Sequence, residues 1–193
     1  MKKFLSLVLA LTMVLSLAAC GASNAEPTTP AADEIAGPVS ALEILENVWA
    51  GYGDDEKFPI VGGNMEANIM DAPGNYDMAY AENMTYNLLV PAEQLTNVAE
   101  AASMIHMMNA NTFTCGAFKL AEGVSAADFG AAMQAAVQGN MWMCGFPERL
   151  LIQSIGGSYV VVAFGINDAM TPFAAHLAEA YPNAETLADE PIA

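Results

Sequence analysis

The spacing of apolar residues predicts three amphipathic helices. In three segments, apolar residues recur every three or four positions, which is the period of a helix that buries one face. The segments are residues 40–53, 125–145 and 171–181. Capping boxes mark two of the starts, with Ser40 followed by Glu43 and Ser125 followed by Asp128. Pro172 suits the first position of the third helix.

Two pairs of strand-like runs alternate with these helices. The first pair, SMIHMM and TFTCGAFKLA, is joined by turn-favouring residues at 109–111. The second pair lies in RLLIQSIGGSYVVVAFG and has Gly156-Gly157 as a two-residue hairpin turn. Residues 160–162 are all valine, so this run is apolar on both faces. That pattern predicts a central strand.

The order of elements is strand, strand, helix, twice over, after an N-terminal helix. It predicts an α+β fold with a mainly antiparallel four-stranded sheet and helices packed on one face. A short helix opened by Pro91 is predicted for residues 91–101. Residues 52–90 mix acidic residues, Gly, Asn and Pro with scattered apolar residues, which indicates loops with short strands at most.

The first residues have the layout of a secretory signal peptide. Lys2 and Lys3 precede a short apolar run, and small residues lead to Cys20. The tetrapeptide LAAC at 17–20 resembles the lipobox of bacterial lipoproteins. This resemblance implies cleavage before Cys20, a diacylglyceryl thioether on its sulfur, palmitate-type acyl chains and export to the outer face of the membrane. The alternative is a plain signal peptide with a cysteine beside the cleavage site.

The chain is therefore divided into four parts. Residues 1–19 are the predicted signal peptide, and residues 20–37 are the lipidated cysteine with a flexible stalk of small, polar and proline residues. Residues 38–185 are predicted to form a single α+β domain, a length that suits one hydrophobic core. Residues 186–193 are predicted to be a C-terminal tail.

Net charge narrows the classes of partner. Removal of the signal peptide leaves three basic residues, Lys57, Lys119 and Arg149, against 22 acidic ones, a net charge of −19. Three cations cannot form the basic surface that nucleic acids require. The small number of basic residues also argues against electrostatic docking on anionic lipid. Acylated Cys20 is therefore the expected link to the bilayer.

One stretch of the sequence suggests a soft-metal site. On the strand predicted for SMIHMM, Met104, His106 and Met108 all point to one face, because side chains alternate with period two. Thioether and imidazole ligands suit Cu(I). The alternative is that these methionines are core filler, because the chain has 13 methionines and Met fills irregular gaps well.

Two further cysteines remain if Cys20 is lipidated. A disulfide between Cys115 and Cys144 would close a loop of about 30 residues and contribute ~3–4 kcal/mol in an oxidising compartment. The alternative is that both are reduced and buried. Neither cysteine has the flanking residues of a known catalytic cysteine, so no catalytic residue and no cofactor is predicted.

Several segments together resemble a family of uncharacterised lipoproteins from Gram-positive anaerobic bacteria, which carry a domain of unknown function. The residues that carry the resemblance are LSLAAC, ALEILENVWAGY, MMNANTFTCGAFKLAEG and PERLLIQSIGGSYVVVAFG. The resemblance implies an extracytoplasmic, membrane-tethered α+β domain, and it implies no catalytic residues.

We therefore expect a membrane-anchored lipoprotein that binds an unknown protein or small-molecule ligand without catalysis. The sequence has no glycine-rich phosphate loop, zinc pattern or G-x-S-x-G elbow, which favours this reading. Two alternatives stay open. One is an extracytoplasmic enzyme with its site in the 52–90 loops, and the other is a copper-handling lipoprotein.

Overall fold

The structure is a computed structural model and describes residues 37, 38 and 40–192. The predicted signal peptide, Cys20 and nearly all of the predicted stalk lie outside these residues. The described residues contain four α-helices: α1 (Ala41–Gly51), α2 (Met84–Asn87), α3 (Ala126–Gln138) and α4 (Asn167–Ala180). Short 3-10 helices span Met65–Ala67, Met78–Asn83 and Ala92–Asn97.

The strands form one antiparallel sheet. They are β1 (Ile60–Gly62), β2 (Ile69–Met70), β3 (Gly74–Asn75), β4 (Val98–His106), β5 (Phe113–Leu120), β6 (Arg149–Ile155), β7 (Tyr159–Gly165) and β8 (Glu185–Pro191). Seven of them follow the spatial order β2-β1-β4-β5-β7-β6-β8, and β3 also pairs with β4. The α+β class and the antiparallel sheet agree with the sequence, but the predicted count of four strands is too low.

The two predicted hairpins form the centre of this sheet. β4 pairs with β5, β6 pairs with β7, and the hairpins join through β5 and β7. Gly156 and Gly157 both have positive φ, at 59° and 70°, as a tight two-residue turn requires. β7 therefore lies between two strands, as its three valines indicate.

Helices cover both faces of the sheet, not one face as the sequence predicts. α1 and α4 pack on one face, and α3 packs on the other. The reason lies in β7, in which every residue is buried, and in β5, which is buried at all but one position. Because successive side chains alternate between faces, such strands need apolar cover on both sides.

Each face has its own hydrophobic core. The α1/α4 face buries Ile44, Leu45, Met104, Cys115, Phe173 and Leu177. The α3 face buries Phe118, Phe129, Met133, Val137, Leu150 and Val162. The dipeptide Ala-Phe occurs near the end of β5 (117–118) and of β7 (163–164), and both phenylalanines lie on the α3 face. The helices that follow these strands, α3 and α4, pack on opposite faces.

In the structure, α3 and α4 have boundaries that differ from those predicted from the sequence. α3 ends at Gln138 with Gly139 as its C-cap, so residues 140–145 are not helical. α4 begins at Asn167, four residues before the predicted start, and Pro172 lies inside it. A distant carboxylate helps to fix this start, since Glu148 Oε2 accepts a hydrogen bond from the Asn167 N–H at 2.7 Å.

The prediction of a helix at residues 91–101 is wrong. Its first part is the 3-10 helix Ala92–Asn97, and its second part belongs to β4, which begins at Val98. β4 is nine residues long and pairs on both sides, so sheet pairing outweighs the helical propensity of residues 99–102.

The predicted C-terminal tail is a strand. β8 pairs with β6 from Glu185 to Pro191, and Arg149 forms a two-pronged ion pair with Asp189 at 2.7 and 2.8 Å. Ala188 is buried in the α3-face core. The charged side chains of β8 protect an exposed edge strand from pairing with other chains. The same charged residues make the segment resemble a disordered tail in sequence.

The role of β8 can be tested by substitution. Ala188→Asp should lower the free energy of unfolding by at least about 2 kcal/mol, because it buries a carboxylate that has no partner. Urea denaturation monitored by circular dichroism measures this change. Ala131→Asp is the matched control, since Ala131 is exposed on α3. Equal stabilities of the two variants would show that residues 186–193 are not an integral part of the fold.

Candidate functional site

Of the three residues of the predicted soft-metal site, Met104 and His106 lie two positions apart on β4, and Met108 lies outside that strand. Met104 is completely buried, whereas Met108 lies beyond the end of β4 and is 80% exposed. His106 ends β4, and its Nδ1 accepts hydrogen bonds from the N–H groups of Met108 and Asn109, both at 3.3 Å. The expected alternation fails because the strand ends at His106. Within the described residues, no cluster of three or more His, Cys, Asp or Glu side chains is arranged for a metal ion.

The two cysteines occupy different environments. Cys115 is completely buried in β5, and Cys144 is exposed in the loop between α3 and β6. Both are free thiols, so the disulfide that the sequence allows is not formed in this structure. Burial raises the pKa of the Cys115 thiol far above its usual range, which keeps it protonated and unreactive.

The segment 52–90 contributes to a contact with α4. Glu56 Oε2 lies 3.5 Å from His176 Nε2, and the Tyr52 ring lies 4.5 Å from the His176 ring. Burial raises the pKa of Tyr52, whose hydroxyl has no hydrogen-bond partner within the described residues. These contacts hold the end of α1 and the following turn against α4, which is a structural role.

A groove on the α3 face has the character of a binding site. Its volume is about 440 Å³, which is within the roughly 300–1,000 Å³ range of small-ligand sites. It lies between α2, the β4–β5 turn and the loop that follows α3. Its lining residues are Thr85, Tyr86, Asn87, Leu89, Ala110, Asn111, Thr114, Asn140, Trp142 and Phe164.

The loop at 140–146 forms one wall of this groove. Trp142 packs against Phe164 of β7 with ring centroids 5.4 Å apart, while its neighbours Met141 and Met143 are exposed. Cys144 and Gly145 both have positive φ, so the chain turns sharply after Met143. The wall is therefore built by a single inward tryptophan in an otherwise exposed loop.

Two asparagines of the β4–β5 turn hold this loop in place. Asn109 Nδ2 donates a hydrogen bond to the Cys144 carbonyl at 2.9 Å. Asn111 Nδ2 donates to the carbonyls of Met143 and Gly145 at 2.8 and 3.0 Å. Three side-chain to backbone bonds thus connect two loops that are about 35 residues apart in sequence.

The opposite wall comes from α2, within the 52–90 segment. Tyr86 is 81% exposed at the rim. Asn87 Nδ2 donates to the Tyr76 hydroxyl at 3.1 Å, and its Oδ1 receives no donor in the described part of the chain. The buried side of α2 is anchored by Met84 in the α3-face core.

The groove keeps unused hydrogen-bonding capacity. Among the described residues, the side chains of Thr85 and Asn140 have no hydrogen-bond partner, and the buried indole N–H of Trp142 has no acceptor. The Oδ1 atoms of Asn87 and Asn111 also receive no donor from that part of the chain. Unpaired polar groups beside aromatic rings are typical of small-ligand sites.

No lining residue of the groove is Asp, Glu, His, Lys, Arg or Cys. This is unusual in a chain with 22 acidic residues. An ionic ligand in this groove would lack a partner of opposite charge, and an unpaired buried charge is costly. The lining therefore favours an uncharged ligand.

A second groove, of about 430 Å³, is lined by Glu148, Arg149, Asn167, Asp189, Glu190 and Pro191. Its charged side chains already have hydrogen-bond partners: Arg149 pairs with Asp189, Glu148 with the Asn167 N–H, and Glu190 with two glutamines of α3. Hydrogen bonding to Arg149 lowers the pKa of Asp189, and hydrogen bonds from Gln134 and Gln138 lower that of Glu190. Because these groups stabilise β8 and the start of α4, we assign this groove a structural role.

Sequence reasoning did not find the groove. It placed residues 140–145 in a helix and assigned no role to Trp142. The signal that was available is the alternation in NMWMCG, in which an aromatic residue stands between two methionines just after Gly139. Tyr86 gave no signal, because nothing in its neighbourhood identifies an exposed tyrosine.

Comparison with protein-family models, with curated protein sequences and with solved structures produced no match. Within the described residues, no helix has the length and apolar character needed to cross a membrane.

The placement of the cysteines predicts their reactivity. With Cys20 replaced by Ser, the native chain should release one equivalent of chromophore from a thiol-reactive disulfide reagent, through Cys144. A second equivalent should appear only after unfolding exposes Cys115. Cys144→Ser should abolish the native-state reaction, and Cys115→Ser should leave it unchanged. Absence of any reactive thiol in denaturant would instead indicate a Cys115–Cys144 disulfide.

Proposed function

We propose that this chain is a membrane-anchored extracytoplasmic lipoprotein whose α+β domain binds an uncharged ligand without chemically changing it. The observation that carries the binding role is the groove between α2 and the 140–146 loop. It combines three aromatic side chains with unpaired amide and hydroxyl groups.

The composition of the groove supports binding over catalysis. Acid–base and nucleophilic catalysis in enzymes depends mostly on His, Asp, Glu, Lys, Cys or an activated Ser. None of these residues lines the groove. Thr85, Thr114 and Tyr86 are the hydroxyl groups present, and none has a base beside it among the lining residues. The residues are suited to orienting a ligand by contact.

The anchor is supported by the sequence. The positive residues, the apolar run and LAAC at 17–20 are the features of a lipoprotein signal. After processing, the protein has a net charge of −19 and is not attracted to anionic lipid headgroups. Its attachment to the membrane would therefore depend on the acyl chains of Cys20. Membership in the lipoprotein family that the sequence resembles is part of this proposal.

Lipidation can be tested with the three cysteines of the chain. Cells that express the full-length protein and are fed an alkyne-tagged palmitate should label the wild type, and Cys20→Ser should lose the label and appear in the soluble extracytoplasmic fraction. Cys115→Ser and Cys144→Ser are matched controls that should keep the label. Labelling that persists in Cys20→Ser would contradict the anchor.

Ligand binding by the groove can be tested with paired variants. The full-length chain is screened by thermal shift against neutral saccharides, amino acids, peptides and lipids. A ligand of the groove should raise the melting temperature of the wild type and have little effect on Tyr86→Ala and Asn140→Ala. Its effect should persist in Tyr80→Ala and Asn183→Ala, because Tyr80 and Asn183 are accessible residues outside the groove.

Two results would contradict the proposal. One is that no class of compound gives a shift that depends on Tyr86 and Asn140. The other is that mass spectrometry finds a bound compound converted to a product by the wild type but not by these two variants.

A further inference from the structure

From the same groove we infer the chemical class of its ligand, a neutral saccharide presented as a short stretch of a glycan. This inference rests on the proposed binding function. It depends on which hydrogen-bonding atoms of the groove are already used, on the aromatic residues and on the absence of charge in the lining.

Some hydrogen-bonding groups of the groove are already occupied, while the buried indole N–H of Trp142 is a free donor. Both hydrogen bonds of Asn111 Nδ2 are donated to backbone carbonyls, and carbonyls only accept, so the orientation of this amide is fixed. Asn87 Nδ2 donates one of its two hydrogens to the Tyr76 hydroxyl. Thr114 donates its hydroxyl hydrogen to the Ala110 carbonyl at 2.9 Å. What these residues leave free is mainly acceptor atoms, above all Oδ1 of Asn87 and of Asn111.

A matching ligand must therefore donate hydrogen bonds to the free Oδ1 atoms and accept one from the Trp142 N–H. It must also be uncharged, because ammonium and guanidinium donors would meet no carboxylate among the lining residues. Hydroxyl groups fulfil both conditions, and they can accept as well as donate. They would pair equally well with the amide of Asn140 and the hydroxyl of Thr85, each of which is free to act in both directions.

The aromatic residues complete the match. Tyr86 is exposed at the rim, and Trp142 and Phe164 lie deeper in the groove. The face of an aromatic ring carries partial negative charge, so it attracts the weakly positive C–H groups on the flat side of a sugar ring. A saccharide could thus place its C–H faces against the aromatic rings and its hydroxyl groups against the side-chain amides. Rings and amides lie side by side in this lining.

Peptides fit these features less well. A strand-like peptide needs unpaired backbone groups at a sheet edge, but Thr114 and Phe164 lie on β5 and β7, which pair on both sides. A proline-rich peptide offers carbonyl acceptors for the Trp142 N–H but few N–H donors, so it leaves the free Oδ1 atoms unpaired. A helical peptide requires a largely apolar groove, whereas this lining contains three asparagines and two threonines.

The experiment uses the tryptophan of the groove as the reporter. The chain has two tryptophans, and Trp49 lies in the core of the α1/α4 face. In the full-length Trp49→Phe variant, purified in a detergent without a sugar headgroup, fluorescence comes from Trp142 alone. The probes are hexasaccharides of β-1,4-linked glucose, α-1,4-linked glucose and β-1,4-linked N-acetylglucosamine, with an oligogalacturonate as the anionic control.

At least one neutral hexasaccharide should change the Trp142 fluorescence with saturation, and the anionic control should not. Tyr86→Ala should weaken this binding about tenfold, the scale expected for loss of one aromatic contact. Tyr86→Phe should retain the binding, because the ring face is preserved. Asn140→Ala should weaken it, and Tyr80→Ala and Asn183→Ala should leave it unchanged.

The inference is overturned if no neutral hexasaccharide binds, or if binding is the same in Tyr86→Ala and in the wild type. A proline-rich peptide, polyproline of ten residues, is titrated in parallel. Binding of this peptide that depends on Tyr86, without saccharide binding, would overturn the saccharide and leave the binding function in place. Failure of both probes, together with an empty thermal-shift screen, would overturn both proposals.

Discussion

The burial of β5 and β7 on both faces is the constraint on which the rest of this domain depends. These two strands pair with each other and lie at the centre of the sheet, and β7 has no exposed residue. Apolar side chains that alternate between two faces need a cover on each, so α1 and α4 occupy one face and α3 the other. Among the described residues, α3 is the one helix of more than two turns on the α3 face, and the short helix α2 and loops cover the sheet beyond it. The groove forms between these shorter segments.

The groove is built from loops, yet its walls are held firmly. Asn109 and Asn111 donate to three carbonyls of the 140–146 loop, and Met84 buries α2 against the sheet. Side-chain to backbone bonds of this kind fix loops without adding charge. The acidic residues of the chain lie elsewhere, so the domain combines a strongly negative surface with a neutral groove. The negative surface favours solubility and repulsion of anions, and it leaves recognition in the groove to hydrogen bonds and ring contacts.

Sequence reasoning was most successful where local interactions decide the structure. The capping boxes at Ser40 and Ser125, the Gly156-Gly157 turn and the run of valines in β7 were each interpreted correctly. It failed where contacts with a segment distant in sequence decide the secondary structure. α4 begins early with a hydrogen bond from its first N–H to Glu148, β8 is a strand because β6 pairs with it, and residues 98–101 are a strand because they pair with β5. The site was missed for the same reason, since Trp142 and Tyr86 are 56 residues apart and only the folded chain brings them to one groove.

The sequence by itself therefore determined the antiparallel hairpins, the helices that follow them, the net charge and the expectation of a lipid anchor at Cys20. Each of these follows from neighbouring residues or from composition. Only the tertiary structure decided that helices cover both faces, that Met108 lies beyond the strand of Met104 and His106, that Cys115 and Cys144 are separate, and that a neutral groove lies beside the 140–146 loop. The physical reason is that strand ends, face assignment and groove walls are set by pairing and packing between segments far apart in the chain. A local pattern of apolar and polar residues does not record that pairing.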